Sequence, residues 1–218
     1  ITPGGNASLD VGSNPCTTSP GTEPVPTTVT VSAENAPATN VNLLVLGYGC
    51  IYQGGFLFSV DDITFNTGSI GGKVAALTVQ PGVFGQWATV NDDTAADNIT
   101  NGFDNTMALA SPANQYPAAQ SCLNKNDQGF TDWYLPAICE LGRYKNGADP
   151  GCSSTYQNIH SNLYVNNLGA FNANQYWSST EYSIVPNMNA WYAFFGLQST
   201  FYQLKNFSYQ VHCIRTLT

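Results

Sequence analysis

Hydrophobic and polar positions change period twice along this chain. Residues 1–28 follow neither a helical nor a strand period and are dense in Pro, Gly, Thr and Ser, which predicts an extended lead-in. Residues 29–218 are expected to form one domain. "TTVTVSA" (27–33) alternates Thr and Val, as a strand with one buried face does. "VNLLVLGYG" (41–49) is a short apolar run stopped by glycines, which predicts a strand buried on both faces. "YQGGFLFSVDD" (52–62) and "GGKVAALTV" (71–79) predict a hairpin, and "GQWATV" another short strand.

The pattern then turns helical. Asp92, Asp93 and Asp97, followed by Ala-rich sequence, predict helix N-termini, where carboxylates complement the dipole. Helices are expected near 104–110 and 114–124, with Pro112 and Pro117 marking boundaries. In "LPAICELGRYKNG", Pro136 suits a first turn, Ile138, Leu141 and Tyr144 recur at three-residue spacing, and Gly147 stops the run. A shorter helix is expected near 153–163. After it, "QYWSSTEY", "AWYAFFGL", "STFYQLKN" and "YQVHCIRT" read as an antiparallel meander.

Composition narrows the class. Charged residues make up 9% of the chain, against about a quarter in an average soluble protein. Solubility must rest on Asn, Gln, Ser, Thr and Tyr, as is common on secreted and cell-surface proteins. The formal net charge of -8 argues against a nucleic-acid partner. No apolar run reaches the roughly 18 residues of a membrane span, so no membrane insertion is expected. The opening "ITPGGNASLD" lacks the basic and apolar regions of a signal peptide.

The six cysteines contain no C-x-x-C pair, and two histidines are too few to complete the usual zinc spacings. Scattered cysteines in even number favour disulfides in an oxidising compartment. Fifteen pairings are open. The expected scheme joins Cys139 to Cys152 across the helix return, Cys16 to Cys50 to anchor the lead-in, and Cys122 to Cys213.

Candidate chemistry centres on "YWSSTEY" (176–182). Ser178 and Ser179 lack the G-x-S-x-G elbow and an identifiable base, so a nucleophile is the weaker reading. Strand alternation instead buries Trp177 and places Glu181 on its side, where Arg215 of the last strand is the expected counter-ion. His212 is expected to be exposed beside a disulfide at Cys213. Asp92, Asp93, Asp97 and Asp104 could supply calcium oxygens, but they lack the calcium-loop spacing and capping explains most of them. No cofactor is expected.

Basic residues are unevenly placed. Residues 1–132 hold two basic against eleven acidic side chains, and residues 133–218 hold four against three. Lys125, Arg143, Lys145 and Lys205, with Tyr144 as an aromatic face, therefore form the expected anion-binding surface, a solvated helix end being the alternative. Lys73, at a subunit interface, is the fallback position.

Together, "YQGGFLF", "GGKVAAL", "GQWA", "GFTDWYLPAICEL", "YWSSTEY", "AWYAFF" and "VHCIRT" resemble the bacterial Lcl C-terminal domain family, named after a Legionella collagen-like protein. The resemblance covers roughly residues 48 to 216. It implies an α+β, C-type-lectin-like domain of antiparallel strands and two or three short helices. It further implies an adhesin head on a collagen-like stalk, trimeric, binding sulfated glycans of glycosaminoglycan or fucoidan type in host attachment and biofilm formation. Trp133, Glu140, Trp177, Cys213 and Arg215 match the family's frame, while Tyr134 and His212 stand where many relatives carry Arg. The competing readings are a protein-binding lectin-like module without glycan specificity and an enzyme related to the sulfatase-modifying family.

Overall fold

A computed structural model describes residues 27–31, 37–61, 71–79, 84–112, 114–142 and 146–218. The expected lead-in therefore lies almost wholly outside the described residues.

The described chain is α+β, with three sheets and four short α-helices. β1 (Thr27–Val31) and β2 (Thr39–Leu43) pair antiparallel as a separate two-stranded sheet. Neither strand buries a face as expected. Val31 and Val41 are exposed, and residues 44–50 are not strand. This hairpin is fastened by polar side chains instead: Thr28 Oγ1 donates to Asn42 Oδ1 and Thr30 Oγ1 to Asn40 Oδ1, each at 2.8 Å.

The predicted hairpin of the next segments is present. β3 (Ile51–Tyr52), β4 (Gly55–Asp61) and β5 (Gly71–Ala76) run antiparallel in sequence order. β12 (Ile214–Thr216) completes this four-stranded sheet against β5. The register shifts between Leu57 and Ser59, so Phe58 is an extra residue and Ser59 falls opposite Lys73.

The third sheet has six strands in the order β6 (Phe84–Gln86), β11 (Ser208–Gln210), β8 (Gln175–Glu181), β9 (Asn189–Phe194), β10 (Ser199–Leu204) and β7 (Asn146–Gly147). Its centre is the predicted meander of β8 (Gln175–Glu181), β9 (Asn189–Phe194) and β10 (Ser199–Leu204). The fourth expected member departs. β11 (Ser208–Gln210) lies parallel to β8 on its other side and pairs with β6 (Phe84–Gln86), while residues 214–216 cross to the four-stranded sheet. β7 (Asn146–Gly147) pairs parallel with the start of β10.

Helices are shorter than the sequence pattern suggests. α1 (Gly102–Ala108) is capped by the Asn101 side chain, which accepts from Asp104 N at 3.1 Å. α2 (Pro117–Leu123) opens on Pro117, α3 spans Ile138–Leu141, and α4 (Ile159–Asn162) is capped by Asn158. α3 stops well before Gly147, because Asn146 and Gly147 are taken up by β10. The helix expected after Asp92 does not form. There Asp93 Oδ1 accepts from Ala95 N, Thr94 Oγ1 from Ala96 N, and Asn98 Oδ1 from Thr100 N and Asn101 N. Short polar side chains have offered the backbone partners that a helix would otherwise supply.

β8 divides the core. Tyr176 packs on one side with Phe56, Trp191 and Phe195, and Trp177 on the other with Trp87, Trp133 and Leu135. Cys122–Cys213 joins α2 to the approach of β12 inside the second cluster, and Cys139–Cys152 joins α3 to the approach of α4 inside the first. Both pairings are those expected. Closing loops of 91 and 13 residues stabilises by about 4–5 and 3 kcal/mol respectively in the chain-entropy model. Cys50 is also disulfide-bonded, but Cys16 lies outside the described residues.

Candidate functional site

"YWSSTEY" is built into the frame. Trp177 is fully buried and donates from Nε1 to Gly85 O at 2.9 Å. Between Trp177 and Glu181 three residues of β8 stand against one of β9, so the ladder breaks there. The freed backbone is bonded elsewhere: Ser179 N donates to Pro136 O and Glu181 N to Ala96 O, both at 2.7 Å. The hydroxyls are spent as well. Ser178 Oγ donates to Trp191 O, Ser179 Oγ accepts from Asn105 Nδ2, and Thr180 Oγ1 donates to Asn98 O while accepting from Ile138 N. All three side chains are buried. They fasten loops to β8 and present no nucleophile to solvent.

Glu181 is buried beside Trp177's cluster, but its partner is Lys205, not Arg215. Glu181 and Arg215 sit in different sheets, whereas Lys205 follows directly on β10, across β9 from β8. Lys205 Nζ donates to Glu181 Oε1 and to Asp92 O, and lies 4.5 Å from the centroid of Trp87. Arg215 instead forks onto Asp132, with Nε–Oδ1 at 2.7 Å and Nη2–Oδ2 at 2.9 Å, over the ring of Phe130. Trp133, the other frame tryptophan, is buried and donates from Nε1 to Phe130 O.

His212 is not exposed. Its ring is fully buried, 4.3 Å from that of Phe171, with Nε2 at 2.8 Å from Ala76 O. Burial pushes its pKa down to about 4, the bond to Ala76 O opposing. Burial likewise lowers His160 to about 4.

Of the expected anion surface, Lys125 and Lys205 fall among the described residues, with Lys73 as the fallback. Lys205 is removed from it by burial. Lys125 pairs with Asp127 at 3.0 Å and keeps 8% of its side chain exposed. Arg143, Tyr144 and Lys145 lie outside the described residues. Lys73 pairs with Glu140 at 2.5 Å and is 24% exposed. Among the described residues every cation is thus held by a carboxylate. The acidic stretch 92–104 offers no cluster of three acidic, His or Cys side chains able to hold an ion, so the calcium reading gains nothing from it.

Lys73 opens onto a feature that the sequence does not announce. Ser59, Lys73 and Thr216 are direct cross-strand partners on β4, β5 and β12. They form a polar row at the rim of a sheet face whose interior holds Phe56, Ala75 and Ile214. A cleft of about 360 Å³ stands over this row, closed on the far side by Thr155, Tyr156 and Gln157. A second cleft of about 240 Å³ shares those three residues and continues past Tyr48 and Asn158.

The wall is held firmly. Gln157 accepts from Val60 N and donates to Val60 O, both at 2.8 Å, and Tyr156 OH donates to Thr100 O. Behind Lys73, Glu140 is fully buried. It accepts from Lys73, Tyr134 OH, Ala137 N and Gly102 N, tying the starts of α1 and α3 to β5. Burial alone would lower the Lys73 pKa, but the Glu140 charge and hydrogen bond outweigh it and raise it. No sequence spacing announces this site, since its residues come from four separate stretches. The chain matches no family model, and no curated protein matches it.

Proposed function

We propose that this chain is the head of a secreted or cell-surface adhesin, C-type-lectin-like in fold, that binds sulfated polysaccharide through Arg143, Tyr144 and Lys145. The observation that selects those residues is the pairing of all four described cations with carboxylates. Arg143 and Lys145 are the other two cations of the chain, and in sequence they flank the aromatic Tyr144. The bonded cysteines are consistent with an oxidising compartment, and no described helix is long and apolar enough to cross a membrane. The spent hydroxyls of Ser178, Ser179 and Thr180 favour a binding role over catalysis, and five bonded cysteines disfavour a chemistry that needs a reactive thiol.

A monomer of net charge -8 repels polyanions at long range, so the proposal includes a homotrimer that presents three such segments to one repeating polymer. Each sulfate contact is worth about 1 kcal/mol or a little more. Titration of Arg143→Ala/Lys145→Ala on a heparin surface at low and high salt is the test. Near-complete loss of binding is expected, with wild-type affinity falling steeply as salt rises. Unchanged affinity in the double variant would overturn the assignment. The reading of a protein-binding module is favoured by the exposed apolar residues Ile184, Met188, Tyr202 and Leu204 around the β8–β9 turn and β10. Salt-insensitive binding lost in Ile184→Ser would decide for it.

A further inference from the structure

The cleft over Lys73 invites a different ligand from the polyanion. Among the described residues its charged lining is Lys73 and Asp61, and the Lys73 charge is already countered by Glu140 behind it. An anionic polymer therefore gains no net attraction there. What the cleft offers is a dense set of short-range hydrogen-bonding groups. Ser59, Thr155 and Thr216 bring hydroxyls that both donate and accept, Asp61 brings a carboxylate that accepts, and the Lys73 ammonium brings donors beyond those it gives to Glu140 and the Tyr156 hydroxyl. The Tyr156 ring supplies an apolar face 5.9 Å from Lys73 Nζ. At about 360 Å³ the space falls at the small end of the roughly 300–1,000 Å³ typical of small-molecule sites.

We infer that this cleft binds an uncharged sugar ring. Neighbouring hydroxyls of the ring would meet Asp61 and Lys73, and its C–H face would lie against Tyr156. Three features make the site pre-formed. The extra residue at Phe58 sets Ser59 opposite Lys73, and Gln157 clamps the wall onto Val60 at both of its amide atoms. Gly72 holds φ +140 where a Cβ would stand 2.1 Å from Ser59 O, so the two strands meet at the cleft closer than any other residue permits. The second cleft continues beyond the shared residues Thr155, Tyr156 and Gln157, so a following sugar unit has somewhere to go. This inference does not rest on the sulfated-polysaccharide reading, which uses Arg143 and Lys145.

The experiment is an amide NMR titration of the domain with glucose, galactose, mannose, fucose and N-acetylglucosamine, and separately with sodium sulfate. Each sugar is taken to about 100 mM, well past the millimolar affinity expected of a single small ligand. At least one sugar should give saturable shifts at Ser59, Lys73, Tyr156 and Gln157, unchanged by added salt. Ser59→Ala/Thr155→Val leaves Lys73 and Glu140 in place and should weaken that binding about tenfold through two lost hydroxyls. Thr216→Trp, at an exposed position, should fill the cleft and abolish it. Absence of saturable shifts for every sugar overturns the inference. So does a salt-sensitive response of the same amides to sulfate, which would make the cleft an anion site. Heparin binding by the same samples reads other residues, so either proposal can fail without the other.

Discussion

Lys205→Met separates a structural cation from a binding one. Lys205 is 1% exposed, and its ammonium serves Glu181, the carbonyl of Asp92 and the ring face of Trp87 at once. Methionine matches the stem and removes the charge. Glu181, itself 1% exposed, then keeps Thr94 N as a donor, at 3.1 and 3.2 Å from its two oxygens, and has lost its counter-ion. Breaking a buried pair from one side costs about 3–5 kcal/mol, because the remaining charge is stranded. For a domain of this size that is a fall in Tm of roughly 6–20 °C. Lys205→Met/Glu181→Leu removes the stranded charge but orphans Thr94 N, at about 1–3 kcal/mol. The double variant should therefore be more stable than the single by about 2 kcal/mol. Urea unfolding followed by tryptophan fluorescence measures both, since all four tryptophans are buried, and an unchanged slope confirms that stability alone has moved. Heparin affinity of folded Lys205→Met should equal that of wild type. A single variant as stable as wild type but weak on heparin would refute the burial argument and return Lys205 to the surface.

Acid should destabilise the domain through His212. Its folded pKa of about 4 lies below the 6.5 of a solvated histidine, so the unfolded chain binds more protons between those values and stability falls as pH drops through that window. The full effect is about 3 kcal/mol, and a urea midpoint with the same pH slope in His212→Gln would count against it. Trp177→Ala should cost about 3–5 kcal/mol as read by urea denaturation, and a stably folded variant that had lost ligand binding alone would contradict the scaffold role. Gly102→Ala should destabilise by about 1–3 kcal/mol, because the new Cβ would sit 2.5 Å from Glu140 Oε2, Ala137 N and Leu135 O; an unchanged melting temperature would show that the α1–α3 junction can yield.

Local pattern made part of this fold legible. The β4–β5 hairpin could be read because its apolar runs are bounded by glycines, and the β8–β9–β10 meander because bulky aromatics recur between turn residues. Trp177 could be assigned to the core from size alone. The failures share a cause. Alternation tells which side of a strand a residue takes, but not which sheet the strand joins. Hence alternation places Glu181 beside Trp177, but its counter-ion is Lys205 beside its own sheet and not Arg215 of another. Lys205 likewise belongs by sequence to the expected anion-binding surface, yet its stem runs inward over Trp87. The helix expected after Asp92 was lost to side chains bonding their own backbone, which composition can suggest but not rank.

The use made of charge follows from its scarcity. With 9% charged residues, the domain has few groups to spend on a solvated surface, and the described cations are placed where each closes a junction. Lys73 joins β5 to the starts of α1 and α3 through Glu140, Lys205 joins β8 and the loop at Asp92 to the end of β10, and Arg215 joins β12 to Asp132. A surface that keeps little positive charge in reserve recognises ligands by hydrogen bonding and ring contact, or by a short segment repeated through oligomerisation. Those alternatives are the cleft over Lys73 and the segment after α3. If both proposals hold, the first should be indifferent to salt and the second steeply weakened, so ionic strength alone would separate the two modes of binding.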